Sequence, residues 1–154
     1  MRKLSNHRRP MARNGEHSPP DTSVQPMAVV AQCLHYFAQH FSDAIAIDQL
    51  ASTLGIPQRD LDGSFDQVRG MTPAQALLEH RLNQLFTALT DRPRQGLGNA
   101  IRGCGLGQTA GVVVLFEQTF GIEMPLFLLT CRRAADDRLS RKAHPEPEAL
   151  VLGV

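Results

Sequence analysis

One pattern of glycines and apolar residues occurs twice in this chain, about fifty residues apart. The first copy runs Ala51, Gly55-Ile56, Leu61, Phe65, Gly70, Pro73, and the second runs Ile101, Gly105-Leu106, Val112, Phe116, Gly121, Pro125. The copies are offset by 50 residues at the first glycine, 51 at the phenylalanine and the second glycine, and 52 at the proline. Each copy predicts a short helix, a glycine turn, a second helix and a glycine–proline stop. That is the outline of a helix-turn-helix. Glycine suits both breaks because it adopts left-handed backbone without a Cβ clash.

The rest of the middle of the chain is helical by pattern. Val30, Cys33, Leu34, Phe37 and Phe41 recur at spacings of three to four and predict one buried face of a first helix. Ile47, Leu50, Ala51 and Leu54 mark a second, ended by Gly55, and Pro57 to Arg69 a third, ended by Gly70. Thr72-Pro73 opens a long fourth helix, with Leu78, Leu82, Leu85, Phe86 and Leu89 as its buried face. Leu97–Gly103, Thr109–Phe120 and a segment from Pro125 to about Arg133 complete the set. The predicted fold is all-α: two pseudo-repeated trihelical helix-turn-helix subdomains joined by a long linker helix. The expected divisions are a disordered basic arm over 1–27, a domain over 28–133 and a disordered tail over 134–154. Within the domain, 28–71 and 95–133 are the subdomains and 72–91 is the linker helix.

Composition narrows the function. Hydrophobic content is 42%, enough for a core, which must rest on aliphatic residues and seven phenylalanines because tryptophan is absent. No apolar run approaches the ~18 residues that cross a bilayer, and no apolar stretch follows the basic N-terminus as in a secretory signal. A cytoplasmic protein without membrane contact is therefore expected. Cys33, Cys104 and Cys131 form no CxxC and no zinc-like cluster with histidine, so reduced, packed thiols are expected and no metal. No nucleophile elbow or triad pattern surrounds Ser64, so no catalytic residue and no enzyme activity is expected.

Charge is unevenly placed. Residues 1–28 hold five Lys/Arg against two acids, while 29–133 hold eight Arg against nine acids. The predicted domain thus lacks the positive surplus that usually accompanies DNA binding. The arm, with Arg2, Lys3, Arg8, Arg9 and Arg13, is compatible both with groove or phosphate contact and with a solvated tail. Gly105-Leu-Gly-Gln-Thr-Ala110 matches a dinucleotide fingerprint in letters, but the segment before it reads as a poor strand, so no cofactor is expected. Valines favour sheets, so Val112–Phe116 also admits a strand reading; as a helix it would place Val112, Leu115 and Phe116 inward and Val113 and Val114 outward.

The layout resembles the AraC/XylS family of transcription regulators. The matching segments are Ile47-Asp-Gln-Leu-Ala51, Leu54-Gly-Ile56, Leu61, Phe65, Gly70-Met-Thr-Pro73, Arg81-Leu82, Gly105-Leu106, Phe116, Phe120-Gly121 and Pro125, spread over about residues 30–133. The resemblance implies a regulator that binds double-stranded DNA sequence-specifically, with the third and sixth helices entering major grooves. Many members carry an effector-binding domain; this chain is too short for one and resembles the single-domain type.

The resemblance also orders the candidate residues. Arg59 falls where a base-contacting side chain is expected, and Asp62 and Gly63 occupy two further such positions. Gln58, Arg59 and Gln67 would face bases or phosphates, with Arg69, Arg92 and Arg94 on the DNA backbone. In the sixth helix the family's arginine position is Val114, and only Gln108, Thr109 and Gln118 offer hydrogen bonds there. The alternative is a divergent member that has lost most DNA reading and acts through protein contact, with RNA polymerase or another regulator, by way of Val113 and Val114 or the apolar C-terminus. Arg81 is expected to be structural, holding a nearby carbonyl or carboxylate.

Overall fold

The computed structural model describes residues 24–145. Residues 1–23 and 146–154 lie outside the described residues, and with them the arginines of the arm and the apolar C-terminus. Helices α1 (Pro26–His40), α2 (Ile47–Leu54), α3 (Gln58–Arg69), α4 (Pro73–Asp91), α5 (Leu97–Gly103), α6 (Thr109–Phe120) and α7 (Met124–Ala143) follow in chain order. There is no strand among the described residues: Val112–Phe116 is helical, and the Gly105–Ala110 segment follows α5, which removes the strand that a dinucleotide fingerprint requires.

The sequence repeat is reproduced in the backbone. Gly55 and Gly105 are left-handed, with φ of 68° and 71°. After them, Ile56 N–H donates to Ala51 O at 2.9 Å and Leu106 N–H to Ile101 O at 3.1 Å, the same bond fifty residues on. Helices α3 and α6 each have 12 residues. Each ends at a left-handed glycine, Gly70 or Gly121, whose N–H donates to the carbonyl of Asp66 or Glu117.

The next helices start differently. Thr72 and Gln75 form a reciprocal capping box with Pro73 as the first residue of α4. In the second copy the extra residue makes Met124 the first residue of α7 and Pro125 the second. The Met124 N–H is satisfied by the Glu117 carboxylate at 2.9 Å, which takes the place of a cap.

Two hydrophobic cores share α4. Its early residues Ala76 and Leu77 join Val29, Val30, Cys33, Phe37, Leu50, Ala51, Leu61 and Phe65. Its later residues Leu82, Leu85 and Leu89 join Ile101, Cys104, Val112, Phe116, Met124, Phe127 and Cys131. Rings gather at the second core: Phe86, expected on the buried face of α4 but 36% exposed at the rim, Phe116, Phe120 and Phe127 pack with centroids 4.6–6.2 Å apart, the range in which aromatic pairs attract. All three cysteines are free and buried, and burial pushes the Cys33 thiol up to about 12.

Phe41 departs from its expected place. Helix α1 ends at His40, and the Phe41 side chain packs on the second core instead of extending the buried face of α1. Its carbonyl accepts a hydrogen bond from Arg81 Nε at 2.9 Å, and the Asp43 carbonyl accepts one from the same guanidinium at 2.8 Å. Gly105 completes the junction: a Cβ there would stand 2.3 Å from the Phe41 carbonyl oxygen. First half, linker helix and second half therefore meet at one carbonyl.

Two expected boundaries need correction. Residues 26 and 27 of the predicted arm begin α1, because Pro26 is suited to a first helical turn. The tail expected from 134 is helical to Ala143. It escaped the periodicity argument because it turns almost no apolar face to a core. Ala134-Ala-Asp-Asp-Arg-Leu-Ser-Arg-Lys-Ala143 is nonetheless made largely of residues that suit a helix, and no breaker appears until Pro145.

The junction yields two predictions. Gly55→Ala, with open space around the added methyl but φ of +68°, should cost about 1–2 kcal/mol. Gly105→Ala should cost clearly more, at least ~3 kcal/mol, since strain and a backbone clash act together; urea unfolding of both variants checks the order. His80, next to Arg81, has its Nε2 buried without a hydrogen-bond partner among the described residues. Burial, and after it the Arg81 charge, lower its pKa from the ordinary 6.5. The unfolded chain therefore takes up this proton at higher pH than the folded one, and the stability due to neutral His80 is present above 6.5 and lost as pH falls through the lowered value. His80→Gln should flatten that acid-side decline in unfolding midpoints measured from about pH 5 to 7.

Candidate nucleic-acid interface

Helix α3 lies along α1 and buries Leu61, Ser64 and Phe65. With ~100° of turn per residue, those three leave Arg59, Gly63 and Asp66 near the middle of the outward face and Asp62 and Gln67 at its two edges. The Ser64 hydroxyl is satisfied inside by the Asp60 carbonyl at 2.5 Å. Gln58, the first residue of the helix, donates to the Asp62 carboxylate at 3.0 Å. Nothing lies within 4 Å of where a Gly63 Cβ would be, so no internal contact requires glycine at a position that weakens the helix by about 1 kcal/mol relative to alanine. The outward face thus offers one arginine, a bare patch of backbone, a glutamine and two carboxylates.

The other candidates are placed unequally. Arg69 closes α3 but turns to α4, where it pairs with Glu79 at 3.3 Å. Gln108 is the N-cap of α6, makes no side-chain capping bond, and is exposed together with Thr109. Arg92 ends α4 and Arg94 stands in the α4–α5 loop. They are at the far end of the 19-residue α4 from the Gly70–Pro73 turn that follows α3, about 28 Å along the helix at 1.5 Å per residue. The structure therefore brings Gln58, Arg59, Asp62 and Gln67 together on α3 and places Gln108 and Thr109 at the start of α6. It takes Arg92 and Arg94 elsewhere.

Helix α6 differs from its sequence reading in register. Val112 and Phe116 are buried as expected, but Val113 is half-buried against the second core. Leu115 is 37% exposed and Val114 52%. The exposed apolar pair is Val114 and Leu115, in place of Val113 and Val114. The reason is the phenylalanine cluster: Phe116 and Phe120 turn toward Phe86 and Phe127, and the helix rotates with them so that Val113 faces inward. The helix carries no basic residue, and its acid, Glu117, is engaged with the start of α7.

A second concave surface was not anticipated. A groove of about 700 Å³ runs between the α4–α5 loop and the last turns of α7, lined by Arg92, Pro93, Arg94, Arg138, Leu139, Arg141 and Lys142 among others. The three α7 cations fell in the segment assigned to a tail. The signal that could have found them was the unbroken run of helix formers before Pro145.

The fold is shared with solved regulators. The chain is similar to the crystal structure of a transcriptional regulator, described among AraC-type DNA-binding domain-containing proteins, from Chromobacterium violaceum, with a TM-score of 0.61, 18% identity and coverage of 78% of this chain and 96% of that one. It is also similar to a probable AraC family transcriptional regulator from Rhodopseudomonas palustris CGA009, with a TM-score of 0.61, 22% identity and coverage of 68% of this chain and 97% of that one. At these identities the likeness establishes the fold, and at that level it agrees with the resemblance drawn from the residues. No protein-family model and no curated protein matches the sequence.

The rotated register of α6 carries its own test. Leu115→Gln should change stability by no more than about 0.5 kcal/mol, whereas Val112→Asn should cost about 2–3 kcal/mol; thermal melts of the two variants distinguish this face from the one expected by sequence.

Proposed function

We propose that this chain is an AraC-type regulator of transcription that binds double-stranded DNA through two helix-turn-helix units, α2–α3 and α5–α6, and acts in the cytoplasm. The observation that carries the reading is the duplication of backbone geometry: two glycine turns, two 12-residue helices and two left-handed stops, fifty-odd residues apart. A rigid α4 shared between two cores sets the spacing of the two units. In this reading α3 supplies sequence discrimination through Arg59, Gln58, Gln67 and Asp62, the last as an acceptor for a cytosine amino group. Helix α6, with Gln108 and Thr109 at its start, adds apolar contact with thymine methyls. No single helix among the described residues is long and apolar enough to cross a membrane.

A second reading has an observation of its own. Val114 and Leu115 give α6 an outward apolar pair where a DNA-reading helix would carry polar side chains. A regulator of this kind would work through α6 on a protein partner, such as RNA polymerase or another regulator, with α3 alone touching DNA.

Selection from a random duplex pool, followed by anisotropy titration, tests both readings. The first expects enriched sequences, loss of about 1–3 kcal/mol on Arg59→Ala with relaxed choice at one base position, and weaker binding on Val114→Asp. Normal DNA binding by Val114→Asp together with lost regulation favours the second. Absence of any DNA binding by the intact chain would sink the first.

A further inference from the structure

We infer that the DNA backbone is held chiefly in the groove between the α4–α5 loop and the last turns of α7, by Arg92, Arg138, Arg141 and Lys142. The inference rests on the DNA-binding reading above and adds to it a surface that neither recognition helix provides. Three observations support it.

The groove is assembled and its cations are unspent. Arg132 Nε donates to the Pro93 carbonyl at 3.3 Å, and Arg94 pairs with Asp136, so the loop is fastened to α7 at two points one turn apart. That pairing occupies Asp136. Arg92, Arg138, Arg141 and Lys142 have no ion-pair partner among the described residues. Asp91 is the one carboxylate that lines the groove. On α7 the three cations stand at i, i+3 and i+4, which puts neighbouring Cβ atoms about 5–6 Å apart on one side of the helix.

Charge is segregated along the fold. Residues 24–90 hold three arginines against six acids, and residues 91–145 hold eight Lys/Arg against five acids. On α3 the outward arginine has carboxylates beside it, and α6 has no basic residue. Phosphate contacts position a protein on the duplex while other residues read bases. Here the two tasks fall on different elements, because the reading helices lack the charge for the first. Arg141 and Lys142 also suit the negative end of the α7 dipole, but that end has no use for Arg92 on the opposite wall.

The lining favours a polyanion over a protein. It contains no aromatic side chain and its cations are exposed, whereas the anchors of protein interfaces sit in desolvated pockets.

The test is a salt series with a mixed-sequence duplex and the intact chain. Each phosphate contact adds about 0.9 to the slope of log K against log salt. The triple variant Arg138→Gln/Arg141→Gln/Lys142→Gln should lower that slope by about 2.7, so that between ~50 and ~200 mM salt it loses roughly 40-fold less affinity than the wild type. The double variant Arg92→Gln/Arg138→Gln, on opposite walls, should lower it by about 1.8, and Arg59→Gln by no more than ~1. All the substituted residues are exposed, and circular dichroism melts verify folding. Wild-type slope in a folded triple or double variant overturns the inference while leaving DNA binding intact. Unchanged DNA slope with lost binding of poly-glutamate would assign the groove to an acidic protein and overturn it as well. A wild type that binds no DNA removes the functional reading itself.

Discussion

The architecture depends on how one carbonyl group is shared. The Phe41 oxygen ends α1, accepts the Arg81 guanidinium of α4, and abuts Gly105 at the turn before α6. A helix that merely connected two bundles would leave them free to twist about it. Here a charged hydrogen bond and a close backbone approach fix the angle, and the Phe41 ring in the second core adds apolar burial to the same junction. A charge-assisted bond in a half-buried site is stronger than a neutral one, and the guanidinium reaches two carbonyls of the loop at once. The relative aim of α3 and α6 follows from this contact.

Duplication of backbone has not meant duplication of surface. The two copies share turns, helix lengths and stops, yet the outward face of α3 is polar and net acidic while that of α6 is uncharged and carries the apolar pair Val114 and Leu115. Selection on buried positions differs physically from selection on exposed ones. Phe65 and Phe116 must fill equivalent places in their cores, but Gly63 and Val114 fill none, so these are free to answer to whatever each unit touches. The exposed residues of α7 reinforce the asymmetry: Leu126 and Leu129 are 55% and 46% exposed near its start, and cations gather near its end.

Legibility in the sequence varied with the range of the interaction responsible. Gly55, Gly70, Gly105 and Gly121 could be read directly, since a left-handed turn after a helix is a local demand. Thr72-Pro73 was equally plain, because a cap involves only neighbours in the chain. The α6 register was misjudged by one residue, Val113 for Leu115, because helical periodicity is shallow in a run of five apolar residues. The choice was made by rings from α4 and α7. The C-terminal turns of α7 were missed because apolar periodicity detects helices that cover a core, and these turns cover little. Among the candidate contacts, Gln58, Arg59, Asp62 and Gln67 share α3 because they are neighbours in the chain, whereas the pairing of Arg69 with Glu79 and of Arg94 with Asp136 joins separate elements and has no local signature.

The amino-acid sequence alone determined the order of the helices, the repeat and much of both cores, because spacing, caps and glycine conformation act over a few residues. Only the tertiary structure decided which cations are spent on internal pairs and which remain for a ligand, and which way α6 turns its valines. Those outcomes depend on side chains that meet across 40 residues or so, as Arg94 and Asp136 do at a separation of 42. No local pattern encodes such a meeting.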